Sequence, residues 1–307
     1  MTEFLNQVFK FLIFILFVWI TGIALVGIST RFTKILEKYS FGLTDHNGHS
    51  YQRSTEFNNW VKTEKRKLGV IIGSSTAFRN IIPDTLNTKE TSWFNLGSSL
   101  QTPRNTMIIL DYITEVYKID FVLLDYYPNI ELFSDFESSM DLVKNSTFSD
   151  AIKVEIIKKS DYDFRLLNQF LYRLFKNTLN MKTYLKNESW AGEYAGLGFV
   201  SMDSKVPICA SNFKGSPKKI RESEKLKDII NLLNDRNIPF VLNITPCLGS
   251  KYSLESFFPL EKKIYLSEIF NNPRIDSFFY DTHHMTLKGA KQYSSSIKME
   301  LNKVITP

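Results

Sequence analysis

The sequence predicts a three-layer α/β domain with a parallel sheet of about five strands. Short apolar runs alternate with longer amphipathic segments along most of the chain. The runs are continuous in hydrophobic residues, which is typical of parallel strands that helices cover on both faces. Polar and turn-forming residues follow nearly every run. Because ligands bind at the carboxyl ends of strands in such sheets, these positions are where a site is expected.

Five apolar runs predict the strands of this sheet, over 67–72, 92–96, 121–126, 239–244 and 275–280. The residues that follow them are Gly73-Ser74-Ser75, Gly97-Ser98-Ser99, Pro128-Asn129, Thr245-Pro246, and Asp281 with His284. All of these groups fall at one edge of a parallel sheet. Their convergence indicates a site more strongly than any one motif does.

Helices are predicted where apolar residues recur every three or four positions, over 103–118, 149–159, 164–179, 221–236 and 290–304. The alternation of strand and helix stops between the third and fourth strands. Residues 131–215 hold two amphipathic stretches and then an aromatic, glycine-rich segment. This pattern predicts a helical insertion, which we expect to shape a cleft.

An uncharged run, Phe11–Thr30, is rich in Leu, Ile, Phe and Val and has the length that crosses a hydrocarbon core. We therefore predict a transmembrane anchor over 1–30, a juxtamembrane linker over 31–66, and the α/β domain over 67–307. A cleaved signal peptide is the alternative, although no small-residue cleavage site follows the run. Basic residues after the run would by themselves place the domain in the cytoplasm.

Composition narrows the classes of partner. The formal net charge of +6 favours anionic neighbours such as membrane surfaces or acidic glycans, and no Lys/Arg run is dense enough to indicate nucleic acid. Cys209 and Cys247 have no Cys or His at metal-ligand spacing. We expect no metal and no cofactor. Pairing of the two cysteines stays open.

Asp281 and His284 stand three residues apart in a loop. That spacing lets the carboxylate reach one ring nitrogen and leaves the other free to take a proton, as a general base requires. Such a base needs a nucleophile, and Ser75 is the best candidate because it stands at a strand-to-helix turn. Ser74 is the competing serine, and His283 is the competing base.

Three groups are candidate donors to an oxyanion: the backbone amides of Ser75 and Gly97, and the side chain of Asn129. Each has an ordinary structural interpretation. Ser75 resembles a helix N-cap, Gly97 suits a tight connection, and Asn129 follows a proline as turn residues do.

These motifs resemble the conserved blocks of the SGNH (GDSL-like) hydrolases. Gly73-Ser-Ser75 is similar to the first block, with Ser in place of the usual Asp, and Phe94-Asn-Leu-Gly97 is similar to the second. Asp281-Thr-His-His284, followed by Gly289, is similar to the last. The resemblance implies a flavodoxin-like fold with Ser75 as nucleophile, His284 as base and Asp281 as its orienting group. The third block, Gly-x-Asn-Asp, is absent, and Asp125-Tyr-Tyr-Pro-Asn129 stands in its place.

The Gly-Ser-Ser opening, the Asn-Leu-Gly second block and the N-terminal anchor together resemble the membrane-anchored branch of that family, which includes DltD-like and alginate-acetylation-like proteins. The resemblance implies a serine esterase or O-acyltransferase that acts on acyl groups, acetyl above all, of cell-envelope or extracellular glycans. It also implies a domain outside the cytoplasm, beside a membrane-bound O-acyltransferase. Two alternatives remain: a non-catalytic partner of such an acyltransferase, and a cytoplasmic lipid esterase.

Overall fold

The computed structural model describes residues 2–32, 48–178, 192–202, 218–219, 223–247, 252–253, 263–265 and 278–305. The strands in chain order are β1 (Lys67–Gly73), β2 (Thr91–Asn95), β3 (Phe121–Tyr126), β4 (Glu193–Gly196), β5 (Phe199–Ser201), β6 (Lys218–Lys219), β7 (Phe240–Ile244), β8 (Tyr252–Ser253) and β9 (Lys263–Tyr265). The helices are α1 (Thr2–Phe32), α2 (Gly48–Thr63), α3 (Ser75–Asn80), α4 (Pro83–Leu86), α5 (Pro103–Val116), α6 (Phe136–Asn145), α7 (Asp150–Lys159), α8 (Phe164–Thr178), α9 (Glu224–Asp235) and α10 (Leu287–Ile305). The predicted α/β architecture is confirmed, and α5, α7, α8, α9 and α10 match the predicted helices.

The central sheet has five strands in the order β2-β1-β3-β7-β9, and every neighbouring pair is parallel. Its register aligns Gly73 with Asp125, and Asp125 with Asn243. The carboxyl ends of β1, β3 and β7 therefore form one row, directly before the turn that carries Ser74 and Ser75.

Two hydrophobic clusters cover the two faces of the sheet, as a three-layer architecture requires. Neighbouring strand residues point to opposite faces, so Ile72 and Leu124 belong to the cluster that α5 and α9 cover. Ile71 and Leu123 belong to the cluster that α3 and α10 cover. Continuous apolar strands are buried on both sides for this reason.

The fifth strand of the sheet is β9, so the strand predicted over 275–280 is wrong for the part of it that the structure describes. Residues 275–277 lie outside the described residues, and Phe278–Tyr280 join no sheet. Phe279 makes a single antiparallel bridge to Met285, and both side chains are fully buried against α10. The apolar run reflects burial beneath a helix, and a short run of this kind does not distinguish that from a strand.

Helix α2 lies inside the range that the sequence suggested as a linker, yet its side chains are part of the core. Phe57 is fully buried, and its ring meets that of Phe94 edge-on at 5.5 Å. Trp60 donates from Nε1 to Ser92 Oγ at 3.1 Å. Helix α2 therefore packs into the core of the α/β unit, and residues 33–47 lie outside the described residues.

The predicted insertion over 131–215 contains α6, α7 and α8, whose buried residues join the cluster on the α5 side of the sheet. The β4–β5 hairpin follows and returns to the sheet, where Asn95 donates its backbone amide to Leu197 O at 2.9 Å. This contact brings the hairpin to the carboxyl end of β2. Residues 179–191 and 203–215 of the insertion lie outside the described residues.

Helix α1 contains Leu5–Gly22, which among the described residues is the one stretch long and apolar enough to cross a membrane. A signal sequence at this position would pass the same test. The side chains of Leu5–Val18 are exposed. Trp19 contacts α8, where it donates to Asn168 Oδ1 at 2.8 Å and stacks on Phe164 at 5.3 Å.

Candidate active site

The turn after β1 presents one serine and buries the other. Ser74 is the N-cap of α3: its Oγ accepts from the Thr76 amide at 3.4 Å and hydrogen bonds with Thr76 Oγ1 at 2.9 Å. Ser74 is only 2% exposed. Ser75 is the first residue of the helix and is half-buried. The capping role that the sequence allowed for Ser75 thus belongs to Ser74, and the Ser75 hydroxyl is left for other chemistry.

His284 joins Ser75 to Asp281. Ser75 Oγ donates to His284 Nε2 at 2.8 Å, and His284 Nδ1 donates to Asp281 Oδ2 at 2.6 Å. The other carboxylate oxygen, Oδ1, accepts the backbone amides of His283 and His284 at 2.9 and 2.8 Å. The structure therefore brings together the three residues that the motifs indicated, although 209 positions separate the serine from the histidine.

Asp281 has a pKa below the ordinary value for an aspartate. Burial would raise this pKa, but the hydrogen bond from His284, the charges of both histidines and the backbone amide of His283 lower it further than burial raises it. The carboxylate is therefore ionised across the neutral range. An ionised, amide-anchored carboxylate is what holds an imidazole in one tautomer and stabilises its protonated form.

His283 is held differently from its neighbour. Its ring stacks on Tyr127 with centroids 4.7 Å apart, and its Nδ1 hydrogen bonds with Thr282 Oγ1 at 2.8 Å. Burial, together with the charge of His284, lowers the pKa of His283 to about 4, so this ring is neutral near pH 7. Of the two adjacent histidines, only His284 hydrogen bonds to Ser75.

Asn80, which sequence reasoning missed, ties the histidine loop to the serine helix. This last residue of α3 is 1% exposed. Its Nδ2 donates to the carbonyl of His283 at 2.8 Å, and its Oδ1 accepts the amide of Met285 at 2.8 Å. From the sequence alone, an asparagine at the end of a short helix is interpreted as a helix cap. No sequence pattern therefore predicts its hydrogen bonds to residues 283 and 285.

The amide of Gly97, which the sequence offered as an oxyanion donor, is used within its own turn. It donates to Asn95 Oδ1 at 3.0 Å, while Asn95 Nδ2 donates to the carbonyls of Ala77 and Ile81 at 2.8 and 3.1 Å. A Cβ at Gly97 would lie 2.7 Å from the Cβ of Ala77. The glycine is therefore required by the close approach of α3, and Asn95 clamps that helix to β2.

Asn129, the other expected donor, hydrogen bonds through Nδ2 to the hydroxyl of Tyr127 at 3.0 Å. Tyr127 is the residue on which His283 stacks, so Asn129 lies one residue away from the wall of the site. The Ser75 amide stands at the start of α3 and makes no hydrogen bond to any residue that the structure describes. Of the three expected donors, it is therefore the one left free to donate to an oxyanion, at the positive end of a helix.

A buried carboxylate, that of Asp125, holds the turn that follows β1. Asp125, at the end of β3, accepts hydrogen bonds from Thr76 Oγ1 at 2.6 Å, Thr245 Oγ1 at 2.9 Å and Asn243 Nδ2 at 2.5 Å. Burial raises the pKa of Asp125 to about 6 against the opposing effect of these donors. Asp125 thus connects the ends of β3 and β7 to Thr76, the neighbour of Ser75.

The side chains of Asp281, His283 and His284 offer three ligand atoms within 4.8 Å of one another, a spacing that a metal ion can occupy. Each side chain already has a partner: Asp281 binds His284, His284 binds Ser75, and His283 binds Thr282. Binding of a metal at this point would therefore displace at least one of these hydrogen bonds.

No family model and no curated protein matches the sequence. Among solved structures, a lipase/acylhydrolase from Enterococcus faecalis aligns with 78% of this chain and 96% of its own chain, at 14% sequence identity and a TM-score of 0.29. A TM-score of this size assigns no function to the chain.

Proposed function

We propose that this chain is a serine hydrolase of the SGNH type that acts on ester bonds, with Ser75 as the nucleophile. The observation that carries the proposal is the unbroken line of hydrogen bonds from Asp281 Oδ2 through both nitrogens of His284 to Ser75 Oγ. A hydroxyl is a weak nucleophile until an adjacent base takes its proton, and this geometry supplies that base.

In the proposed reaction, Ser75 Oγ attacks the carbonyl carbon of the ester while His284 Nε2 takes the hydroxyl proton. Asp281 stabilises the imidazolium ion that forms. When the tetrahedral intermediate collapses, the alcohol leaves with the proton from His284 and a seryl ester remains. Water or a second hydroxyl then attacks that ester, with His284 again acting as base. Water as acceptor gives an esterase, and a sugar hydroxyl gives an O-acyltransferase.

The Ser75 amide is the first donor to the oxyanion in this proposal. Gly97 and Asn129 become donors once each exchanges its present partner, Asn95 Oδ1 or the Tyr127 hydroxyl, for the oxyanion. Such an exchange is expected on substrate binding, because catalytic hydrogen bonds often form only in the complex.

We further propose that α1 anchors the chain in a membrane, with the α/β domain on the periplasmic or extracellular side and an acylated envelope glycan as substrate. Support comes from the exposed apolar span Leu5–Gly22 and from the resemblance of the motifs to the membrane-anchored branch. A membrane-bound O-acyltransferase is the proposed partner. A cysteine introduced at the exposed Leu132 would react with an impermeant maleimide on intact cells if this orientation holds, and only after lysis if the domain is cytoplasmic.

A non-catalytic partner protein is the second candidate function. The observation that favours it is that the Gly97 amide and the Asn129 side chain are both engaged, so two of the three expected oxyanion donors are occupied. A domain that binds a glycan or an acyltransferase needs no such donors.

A serine-reactive fluorophosphonate probe tests the proposed function directly. We expect the purified chain to be labelled on a peptide that contains Ser75, and the Ser75→Ala variant to be unlabelled. Ser74→Ala is the matched control, because it removes the neighbouring hydroxyl and should leave the labelling of Ser75. If a chain that unfolds cooperatively stays unlabelled, the non-catalytic function is favoured instead.

A further inference from the structure

We propose that Arg79 forms an anion-binding subsite beside Ser75, so that the ester substrate carries a carboxylate, phosphate or sulfate group close to the reacting carbonyl. This inference rests on the proposed esterase function and deepens it by naming a class of substrate.

Arg79 is placed to reach a ligand at Ser75. The two residues stand four positions apart on α3, and residues at that spacing lie on the same face of a helix, one turn apart. Arg79 is also close enough for its charge to lower the pKa of His283, and the charge of Asp281 acts on Arg79 in return. The guanidinium therefore lies within electrostatic range of the loop that carries the proposed base.

Among the residues that the structure describes, the guanidinium of Arg79 forms no ion pair, although the charge of Asp281 acts on it. Its Nη1 is buried and makes no hydrogen bond within the part of the chain that the structure describes. The guanidinium carbon lies over the ring of Phe78, 5.3 Å from its centroid. Buried charges in proteins are normally paired and hydrogen-bonded, because desolvation without compensation is costly. A ligand anion would supply the compensation.

A nearby buried arginine, Arg53, makes the same region more positive. Arg53 of α2 is 4% exposed and lies over the same Phe78 ring at 4.4 Å. Its Nε donates to the carbonyl of Gly198, a neutral partner, at 3.2 Å. Burial, and then the charges of Arg53 and Arg79, lower the pKa of His49 to about 4. Two guanidinium groups thus act on one small region.

The neighbouring carboxylates are committed to other donors. Glu56 accepts the hydroxyl of Tyr194 and, at 3.0 Å, the amide of Leu197. Asp281 accepts from His284 and from two backbone amides. In the part of the chain that the structure describes, the arginine ion pairs are those of Arg66, Arg104, Arg165 and Arg236, so neither carboxylate pairs with Arg53 or Arg79. Asp281 and Asp141 attract Arg79 and Arg53 without forming an ion pair with either, so both guanidinium groups can still bind a substrate anion.

The test compares three esters that differ in the position of one charge. Phenyl acetate is neutral, 3-acetoxybenzoate carries a carboxylate on the leaving alcohol, and phenyl hydrogen succinate carries one on the acyl group. We expect the wild-type chain to prefer at least one anionic ester, and Arg79→Gln to lower its kcat/KM relative to that of phenyl acetate by about 10- to 100-fold. The ester that shows the effect identifies the half of the substrate that bears the anion.

Two further variants sharpen the comparison. Arg79→Lys keeps the charge and should retain most of the preference for the anionic ester over phenyl acetate. Arg165→Gln removes an exposed arginine of α8 and should leave kcat/KM unchanged for both esters. If Arg79→Gln lowers the rates with anionic and neutral esters equally, Arg79 merely supports Asp281 and the inference is wrong. A wild-type chain without preference for either anionic ester would also overturn it.

A binding measurement keeps this test separate from that of the proposed function. If the wild-type chain hydrolyses none of the three esters, the esterase proposal fails, and sulfate then probes the subsite alone. We expect millimolar sulfate to raise the Tm of the wild-type chain and not that of Arg79→Gln. Equal increases in both chains would mean that sulfate acts elsewhere, and the subsite would be rejected.

Discussion

Asn80 holds His284 in place through the backbone on either side of it. The amide side chain donates to the carbonyl of His283 and accepts the amide of Met285, each at 2.8 Å. Asn80 stands on the same short helix as Ser75, so one rigid element carries the proposed nucleophile and the clamp for its base. The distance between Ser75 Oγ and His284 Nε2 therefore depends on a residue that takes no part in proton transfer.

We predict that Asn80→Ala lowers kcat on phenyl acetate by about 10- to 100-fold with little change in KM, because misplacement of a base by about 1 Å carries that cost. Asn87→Ala is the matched control: Asn87 accepts the amide of Trp93 at 2.7 Å, away from the loop. It should lower the free energy of unfolding and spare kcat. Equal losses of kcat in the two variants would show that Asn80 acts only through stability.

Ser75→Ala and His284→Ala should each lower turnover of a small acetyl ester by on the order of 10³ or more, with cooperative unfolding preserved. The double variant should lose little beyond either single variant, since the two groups act as a unit. Steady-state rates of the three proteins measure this. Independent, additive losses would mean that the hydrogen bond between the two side chains is not part of the mechanism.

The adjacent histidines should differ sharply in importance. We expect His284→Gln to abolish turnover, while His283→Gln keeps most of it, because His283 stacks on Tyr127 and bonds with Thr282. Asp281→Asn should fall between them with a loss that reaches about 10⁴, because an amide can hold the wrong tautomer of the imidazole. If His283→Gln is inactive and His284→Gln is active, the general base is His283 instead of His284.

Asp125 should leave a signature in the pH dependence of stability. Burial raises its pKa from 3.8 to about 6, so the folded state binds this proton more tightly than the unfolded chain does. The stabilisation is present at low pH and is lost as pH rises through about 6. Relative to Asp125→Asn, the wild-type chain should therefore gain on the order of 2 kcal/mol in free energy of unfolding between pH 7 and pH 4. Urea titrations at both pH values measure the difference, and a constant difference would contradict the prediction.

Truncation should separate the span from the domain. A chain that lacks residues 1–32 should be soluble and should still hydrolyse a small ester, because the proposed site lies beyond Gly73. A chain that lacks residues 1–63 should fail to fold, since it removes the buried Phe57 and Trp60 of α2. Thermal melts of the two proteins distinguish these outcomes. Cooperative unfolding of the shorter chain would show that α2 is dispensable.

Apolar runs in the sequence predicted buried segments correctly, but they did not always predict whether the segment is a strand of the sheet. Continuous apolar runs predicted β1, β2, β3 and β7, because a parallel strand buried on both faces leaves that pattern. The run over 275–280 has the same composition, but its apolar side chains, such as Phe279, face a helix instead of joining the sheet. Helix α2 was missed as part of the core because its buried aromatic residues stand among polar ones.

The sequence by itself determined the local parts of the candidate site: the turn that presents Ser75, and the spacing that sets Asp281 against His284. Both depend on residues a few positions apart, so backbone geometry alone brings their side chains within reach. Only the tertiary structure decided that Ser75 meets His284, that Asn80 holds the loop, and that Asn95 occupies the amide of Gly97. Contacts between helix and loop, and between strand ends, depend on how the layers pack. No periodicity along the chain records that packing.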